Sequence, residues 1–340
     1  MSRADAIDAF LAEAGWGGAR RHRMTGDASL RRYERLERAG ARAILMDAPP
    51  ATGEDVRPFV RLARHLSGAG LSAPAIMAAD EAAGLLLLED LGDDLLAAAS
   101  AADPGAELDL YAAAARTLAA MQAAPRPDGL APYAAAMPDL AATVVDWYAP
   151  ELRDRRDAVE AAMAAALDAM PPGPEVMVHR DYHAENLLWL PKREGPARIG
   201  LLDFQDAMTG PAEYDLASLI HDPRRAVSPA AQEAAVVAWR DRTGAGAAPT
   251  AHRIAVTSAQ RSLRILGRVF TRLCLNAGRD GYLRFIPPTW EHLQRELRHP
   301  ALAGVAAALD GLPAPTEARL AAIRAHAGRF AGADRAEAYA

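Results

Sequence analysis

Apolar positions across the first sixteen residues are interleaved with Asp5, Asp8 and Glu13 in an amphipathic pattern that predicts an opening helix. Two strand-like stretches follow at residues 33–36 and 42–47, the first preceded by a Thr-Gly-Asp-Ala-Ser bend at 25–29. A polar, proline-rich turn at 48–53 leads into a second helix carrying Val56, Phe59, Val60, Ala63 and Leu66 on one face, closed by Gly68 and Gly70. Residues 76–77 and 85–88 read as short buried strands separated by an acidic, glycine-containing turn. From Asp93 onward the pattern becomes long Ala/Leu-rich helices, interrupted by strands at 175–178 and 198–202. These alternations predict an α+β fold whose boundary falls between Glu89 and Asp93. A small mixed α/β domain spans residues 1–92 and a larger, mainly helical one spans 93–340. Residues 244–249 read as a loop and 332–340 as a frayed tail.

Composition narrows the possibilities by exclusion. The 340 residues carry 38 basic and 44 acidic side chains, a net charge of −6, which argues against bulk attraction to nucleic acid or an anionic membrane. No window approaches eighteen uncharged apolar residues, and the acidic N-terminus lacks the basic start of a secretory signal. A cytoplasmic, monomeric protein is expected. Cys274 is the only cysteine, so no intramolecular disulfide forms, and no Cys/His cluster has zinc-ligand spacing. Lys192 is the only lysine, so arginine must fill almost every cationic role.

The densest chemistry lies between the two late strands. His179-Arg180-Asp181-Tyr182-His183-Ala184-Glu185-Asn186 is followed, after a hydrophobic stretch, by Asp203-Phe204-Gln205-Asp206. This order matches H-x-D-x-x-x-x-N followed by D-F-x, the catalytic and metal loops of kinases. Phosphoryl transfer needs a carboxylate beside the attacking hydroxyl and oxygen ligands that hold magnesium against the phosphates of ATP. Asp181 fits the first role, and Asn186 and Asp203 fit the second if residues 187–202 form a hairpin that joins them. The expectation is that the three converge at a cleft.

With His183 two residues after Asp181, and with Tyr214-Asp215-Leu216-Ala217 downstream, the chain resembles the aminoglycoside phosphotransferase and choline kinase superfamily. The resemblance implies a two-lobed, protein-kinase-like fold in which His179 and Asp215 are structural, Asp215 buttressing the catalytic loop. Within that superfamily, Gly26 to Tyr33, Leu45 to Pro50, Leu88 to Gly92, His179 to Gln205, Gln260 to Gly267 and Tyr282 to Pro287 resemble the anomeric sugar kinases of bacterial cell-wall recycling. Those enzymes act on N-acetylmuramate and N-acetylglucosamine. By analogy with kinases, Glu89 and Leu91 stand where an interlobe hinge meets adenine. The chain departs from kinases at the strand lysine: Met46 occupies that position, and Ser29 with Arg31 or Arg32 is expected to take over phosphate contact. No P-loop motif is present.

Charge placement bears on the acceptor. Residues 251–300 contain nine arginines against one aspartate and two glutamates. Arg261, Arg264, Arg268 and Arg272 recur at spacings of three and four, predicting a guanidinium stripe along one helix face. Arg261 and Arg264 would suit the lactyl carboxylate of N-acetylmuramate, whereas a polycationic aminoglycoside calls for carboxylates. His183, Asp206 and Tyr148 are further candidate sugar contacts. Two alternatives stay open at this point: another small alcohol as acceptor on the same fold, and a nucleotide-binding pseudokinase that lost phosphate handling with the strand lysine.

Overall fold

A computed structural model describes residues 2–24 and 31–336; Ser29 and the 25–29 bend lie outside the described residues. In chain order the first elements are α1 (Arg3–Glu13), β1 (Arg20–Arg23), β2 (Arg32–Arg38), β3 (Ala41–Asp47), α2 (Arg57–Gly68), β4 (Ile76–Asp80), β5 (Leu85–Glu89), α3 (Leu96–Ala102) and α4 (Glu107–Ala123). Then come α5 (Met137–Trp147), α6 (Arg156–Asp168), β6 (Glu175–Val178), β7 (Leu187–Trp189), β8 (Ile199–Leu201), β9 (Met208–Pro211) and α7 (Glu213–Ile220). The chain continues through α8 (Pro229–Thr243), α9 (Ala247–Arg264), a π-helical stretch at Ile265–Thr271, α10 (Arg272–Ala277), α11 (Ile286–Glu296), α12 (Ala303–Ala308) and α13 (Glu317–Ala325).

Two compact units result. The first comprises Met1–Pro127 with Ala184–Ala207, and the second Asp128–His183 with Met208–Ala340. The expected division at residues 92/93 falls inside the first unit, which continues through α3 and α4 and takes in the β7–β8 hairpin.

In the first unit, five antiparallel strands run in the order β1-β2-β3-β5-β4. Strand alternation sends Leu36, Ala43, Leu45, Leu85 and Leu87 to one face, where Ile7, Phe10 and Leu11 of α1 and Trp16 bury them. Met46, Leu86 and Leu88 are buried on the other face. Both faces of β5 are therefore covered, which is why its sequence is an unbroken leucine run. Burying each such leucine contributes roughly 1.5–3 kcal/mol. At α2, Phe59, Val60, Leu62, Ala63 and Leu66 are buried, the period-3.6 stripe expected.

The second unit is built on α5, α6, α9 and α11 around a core that includes Trp147, Val256, Leu263, Leu266 and Phe270. Gly267 lets the backbones touch: a Cβ there would sit 2.4 Å from the carbonyl oxygen of Thr143 in α5. Three expectations are corrected in this unit. Tyr148 is fully buried in its core, with its hydroxyl donating to the carbonyl of Pro313 at 2.8 Å, so it is a packing residue rather than a sugar contact. The arginine stripe is broken, because the π-helical turn after Arg264 rotates the residues beyond it: Arg261 is buried and Arg264 half-buried, whereas Arg268 is exposed and Arg272 lies over the Trp147 ring at 5.8 Å. The tail is not frayed up to Ala336, which is fully buried and donates its N–H to Asp146 at 3.0 Å.

Candidate active site

The catalytic-loop carboxylate belongs to the second unit. β6 pairs with β9, and the chain then turns at His179 and Arg180, where Arg180 takes a left-handed φ of 75°. That conformation is held from α7: the carboxylate of Asp215 accepts the backbone N–H of His179 at 2.6 Å and of Arg180 at 2.9 Å. Asp215 is fully buried, and burial pushes its pKa up to about 6 against the lowering effect of these bonds and of His179. The buried His179 ring stands edge-on to Tyr182, with centroids 5.6 Å apart. The Arg180 guanidinium lies over the Tyr133 ring at 5.1 Å.

Asp181 follows, half-buried, with its carbonyl accepting the N–H of His183 at 3.1 Å. Burial pushes the Asp181 pKa up, but the positive charge of Arg264 and its cationic neighbours outweighs this and holds it below the usual carboxylate value. Asp181 is therefore ionised at neutral pH. His183 is buried, and burial together with Arg224 lowers its pKa to about 3, so its ring is neutral.

Two guanidiniums in this unit make only long hydrogen bonds while feeling the negative charge of Asp181. Arg261 is 4% exposed; its Nε has no hydrogen-bond partner among the described residues, and its Nη1 reaches the His221 carbonyl only at 3.5 Å. Arg264 Nη1 donates to the Tyr214 hydroxyl at 3.4 Å. Both bonds are at the long limit for N–H···O. Arg224, which the sequence pattern did not single out, donates to Asp222 at 3.2 Å and adds a third positive charge. Its only sequence signal is the Asp222-Pro223-Arg224-Arg225 run just after α7.

The metal loop belongs to the first unit. Leu187 pairs with Leu201 across the β7–β8 hairpin, and the Leu202 N–H donates to the Asn186 carbonyl at 3.0 Å. The hairpin thus brings Asn186 within one residue of register of Asp203. Asp203 is exposed, has a left-handed φ of 59°, and accepts from Gln205 Nε2 at 2.6 Å. Phe204 is buried and stacks on Phe59 of α2 at 4.8 Å, which fixes the loop to its unit. Asp206 is also exposed.

A carboxylate and a carboxamide are hard oxygen donors, as magnesium requires. Among the described residues no three His, Cys, Asp or Glu gather as a cage. That small donor set suits an ion that keeps waters and takes phosphate oxygens as its other ligands.

The remaining sequence candidates also lie in the first unit. The Glu89 N–H is already donated to the Ala75 carbonyl at 2.8 Å, and its carboxylate accepts from Arg193 at 2.5 Å. The Glu89 N–H is therefore not available as an adenine donor. Leu91, two residues on, packs against Gly200, where a Cβ would meet Leu91 Cδ1 at 3.2 Å. The segment after β5 is clamped by Arg35, which donates to Asp90 and Asp93. Arg31 and Arg32 part company. Arg32, exposed, shares the face of Leu36 that turns toward α1, whereas Arg31 alternates with Tyr33 onto the Met46 face. Arg32 is therefore set aside as a phosphate contact. Glu54, which no sequence motif marks, accepts from Arg31 at 2.7 Å.

A five-stranded antiparallel sheet, a helical unit and a kinase-type pair of loops in the right order define a kinase-like small-molecule phosphotransferase. Residues 21–256 match the phosphotransferase enzyme family, and the chain belongs to that family. It is 39% identical to an N-acetylmuramate/N-acetylglucosamine kinase of Caulobacter vibrioides, over 89% of this chain and 94% of that one. A protein of the same description from Pseudomonas aeruginosa is 32% identical, over 91% and 94%. Among solved structures, a choline/ethanolamine kinase family protein from Mesorhizobium loti superposes with a TM-score of 0.59 at 18% identity, covering 91% of this chain and 99% of that one. The last shows a shared fold.

Proposed function

We propose that this phosphotransferase moves the γ-phosphoryl group of ATP to the anomeric hydroxyl of N-acetylmuramate and N-acetylglucosamine, acting as a cytoplasmic monomer in the reuse of cell-wall sugars. The observation that carries the acceptor is the pair of guanidiniums with only long hydrogen bonds, buried Arg261 and half-buried Arg264, in the unit that holds Asp181. Asp181 is the carboxylate that both arginines act on, and a second carboxylate, brought by the acceptor, would further offset the cost of holding two guanidiniums there. The acceptors named for the 39%-identical relative include such a sugar acid.

Ionised Asp181 orients the anomeric hydroxyl and accepts its proton as the sugar oxygen bonds to phosphorus and the bond from phosphorus to ADP breaks. An anomeric hydroxyl is more acidic than an ordinary alcohol, which eases this transfer. Asn186 and Asp203 would hold magnesium, which supplies charge neutralisation at the phosphates when bound. Asp215 keeps the loop in its left-handed turn, and Arg264 keeps Asp181 ionised.

Incubation with ATP, magnesium and a panel of amino sugars, aminoglycosides and choline tests the acceptor. An acid-labile sugar 1-phosphate is expected, and an alkali-stable phosphate on an aminoglycoside would sink the proposal. Asp181→Asn should lower kcat by at least about a hundredfold with nucleotide binding retained. Unchanged kcat would remove Asp181 from the mechanism.

A further inference from the structure

A kinase small lobe ordinarily presents a strand lysine, locked by a glutamate ion pair, to the nucleotide phosphates. This chain cannot do so. Its single lysine, Lys192, lies between β7 and β8, and Met46 sits opposite Tyr33 on β3. Some other cation must serve, and the first unit offers one in a defined setting.

Arg31 stands one residue ahead of β2. Alternation places it on the face of Tyr33, and cross-strand register places Met46 on that face too. Leu36, Ala43 and Leu45 occupy the opposite face, against α1. Arg31 Nε donates to Glu54 Oε2 at 2.7 Å, with the two side chains only 13% and 15% exposed. Glu54 lies just ahead of α2, the helix whose Phe59 stacks on the metal-loop Phe204. Burial raises the Tyr33 pKa, a hydrogen bond with Arg31 opposes this, and the negative charge of Asp203 adds to it. The Arg31–Tyr33–Glu54 group thus lies in the same unit as the metal-loop carboxylate, next to the helix whose Phe59 holds Phe204.

We propose that Arg31, held in place by Glu54, is the phosphate-binding cation that does the work of the absent strand lysine, with Glu54 as its positioning residue. The assignment rests on reading the chain as an ATP-dependent phosphotransferase. A guanidinium has five N–H donors, more than Glu54 and Tyr33 use, so fixing Nε to a carboxylate leaves the fork able to grip phosphate oxygens. The competing account is that Arg31–Glu54 only ties β2 to α2. An ion pair with that purpose alone would affect folding and every nucleotide alike.

The number of phosphates separates the two accounts. Titration calorimetry with magnesium and either AMP-PNP or AMP should show Arg31→Met weakening AMP-PNP by at least about tenfold and AMP by less than about twofold. Glu54→Gln should show the same selectivity with a smaller loss, and Arg31→Lys should restore part of the AMP-PNP affinity. If Arg31→Met does not fold, Glu54→Gln and Arg31→Lys still decide the matter. Equal losses for both nucleotides, or an unchanged AMP-PNP affinity, overturn the proposal. An unmodified protein that binds no nucleotide overturns it together with the ATP-dependent reading. Phosphate-selective loss in a protein that phosphorylates no amino sugar overturns only the acceptor assignment.

Discussion

Asp215→Asn should cost the protein most of its activity and little of its stability, and the reason can be worked from the site. Asp215 accepts two backbone N–H groups, from His179 and Arg180, and Arg180 is the residue in the left-handed region. Its pKa stands at about 6, against an ordinary value of 3.8, chiefly because of burial. A carboxyl displaced that far holds its ionised form roughly 3 kcal/mol above the solvated reference at neutral pH. Asparagine removes that penalty. It also turns an NH2 toward one of the two N–H donors, and one unsatisfied buried donor costs about 1–3 kcal/mol. The two changes nearly cancel in folding free energy, so the melting temperature should move by no more than about 5 °C. The turn that presents Asp181, however, loses half of its anchorage, and kcat should fall by about tenfold or more. The same logic fixes a pH profile. Because the Asp181 pKa is held low, the acid limb of the wild-type kcat profile should follow protonation of Asp215 near pH 6, and Asp215→Asn should lack that limb. A wild-type limb near pH 4, or one retained unchanged in Asp215→Asn, would refute the assignment of Asp215 as the loop's ionised brace.

Gly267→Ala should destabilise the second unit, since the new Cβ would lie 2.4 Å from the Thr143 oxygen and 2.7 Å from the Val144 Cα, both backbone atoms that cannot swing away. A loss of about 3 kcal/mol or more is expected by chemical denaturation, and a change below about 1 kcal/mol would mean that α5 is not packed there. Stability should also fall on acidification. Burial lowers the pKa of His183 to about 3 and of His292 to about 4, so between pH 4 and 6 both bind protons only when unfolded. Asp215 works the other way, binding its proton when folded below about pH 6. The buried His221–Glu296 pair holds one proton in either state, on the carboxyl when folded and on the imidazole when unfolded. His252, whose pKa burial also lowers, adds in the same sense as the other two histidines, so the net difference is at least one proton, a slope of about 1.4 kcal/mol per pH unit or more with stability rising with pH. His292→Gln should flatten that slope, and urea midpoints that do not change from pH 4 to 6 in the wild type would refute the count.

Much of the fold could be read from periodicity, and the elements that could not be read have identifiable causes. α2 and β5 announced themselves because one buries a stripe and the other both faces. β1 did not, because Arg20, Arg21, His22 and Arg23 are all exposed and the strand exists only through its ladder with β2. The π-helical stretch is a tertiary effect: Gly267 permits close approach to α5, and no spacing of side chains records it. Tyr148 was misread because a tyrosine at a helix end looks alike whether its hydroxyl meets a ligand or the Pro313 carbonyl. Motif order singled out Asp181, Asn186 and Asp203, and the pairing of residues 186 and 202 across the β7–β8 hairpin follows the expected connection, since loop chemistry is local in sequence. Glu54 escaped notice because an ion pair spanning 23 residues leaves no local pattern.

Arginine usage ties these observations together. A chain with one lysine must meet every cationic requirement with a group that is planar, always charged and reluctant to be buried without partners. In the first unit the requirement is met by pairing: Arg31 is locked by Glu54, and Arg35 by Asp90 and Asp93. In the second unit buried Arg261 and half-buried Arg264 have only long hydrogen bonds, to a backbone carbonyl and to a phenol. Apolar replacement of Arg264 would leave Asp181 without its main counter-charge, so at that position the guanidinium serves the carboxylate beside it. Arg264 lowers the Asp181 pKa, and under the proposed reaction an acceptor carboxylate would offset part of the cost of burying Arg261.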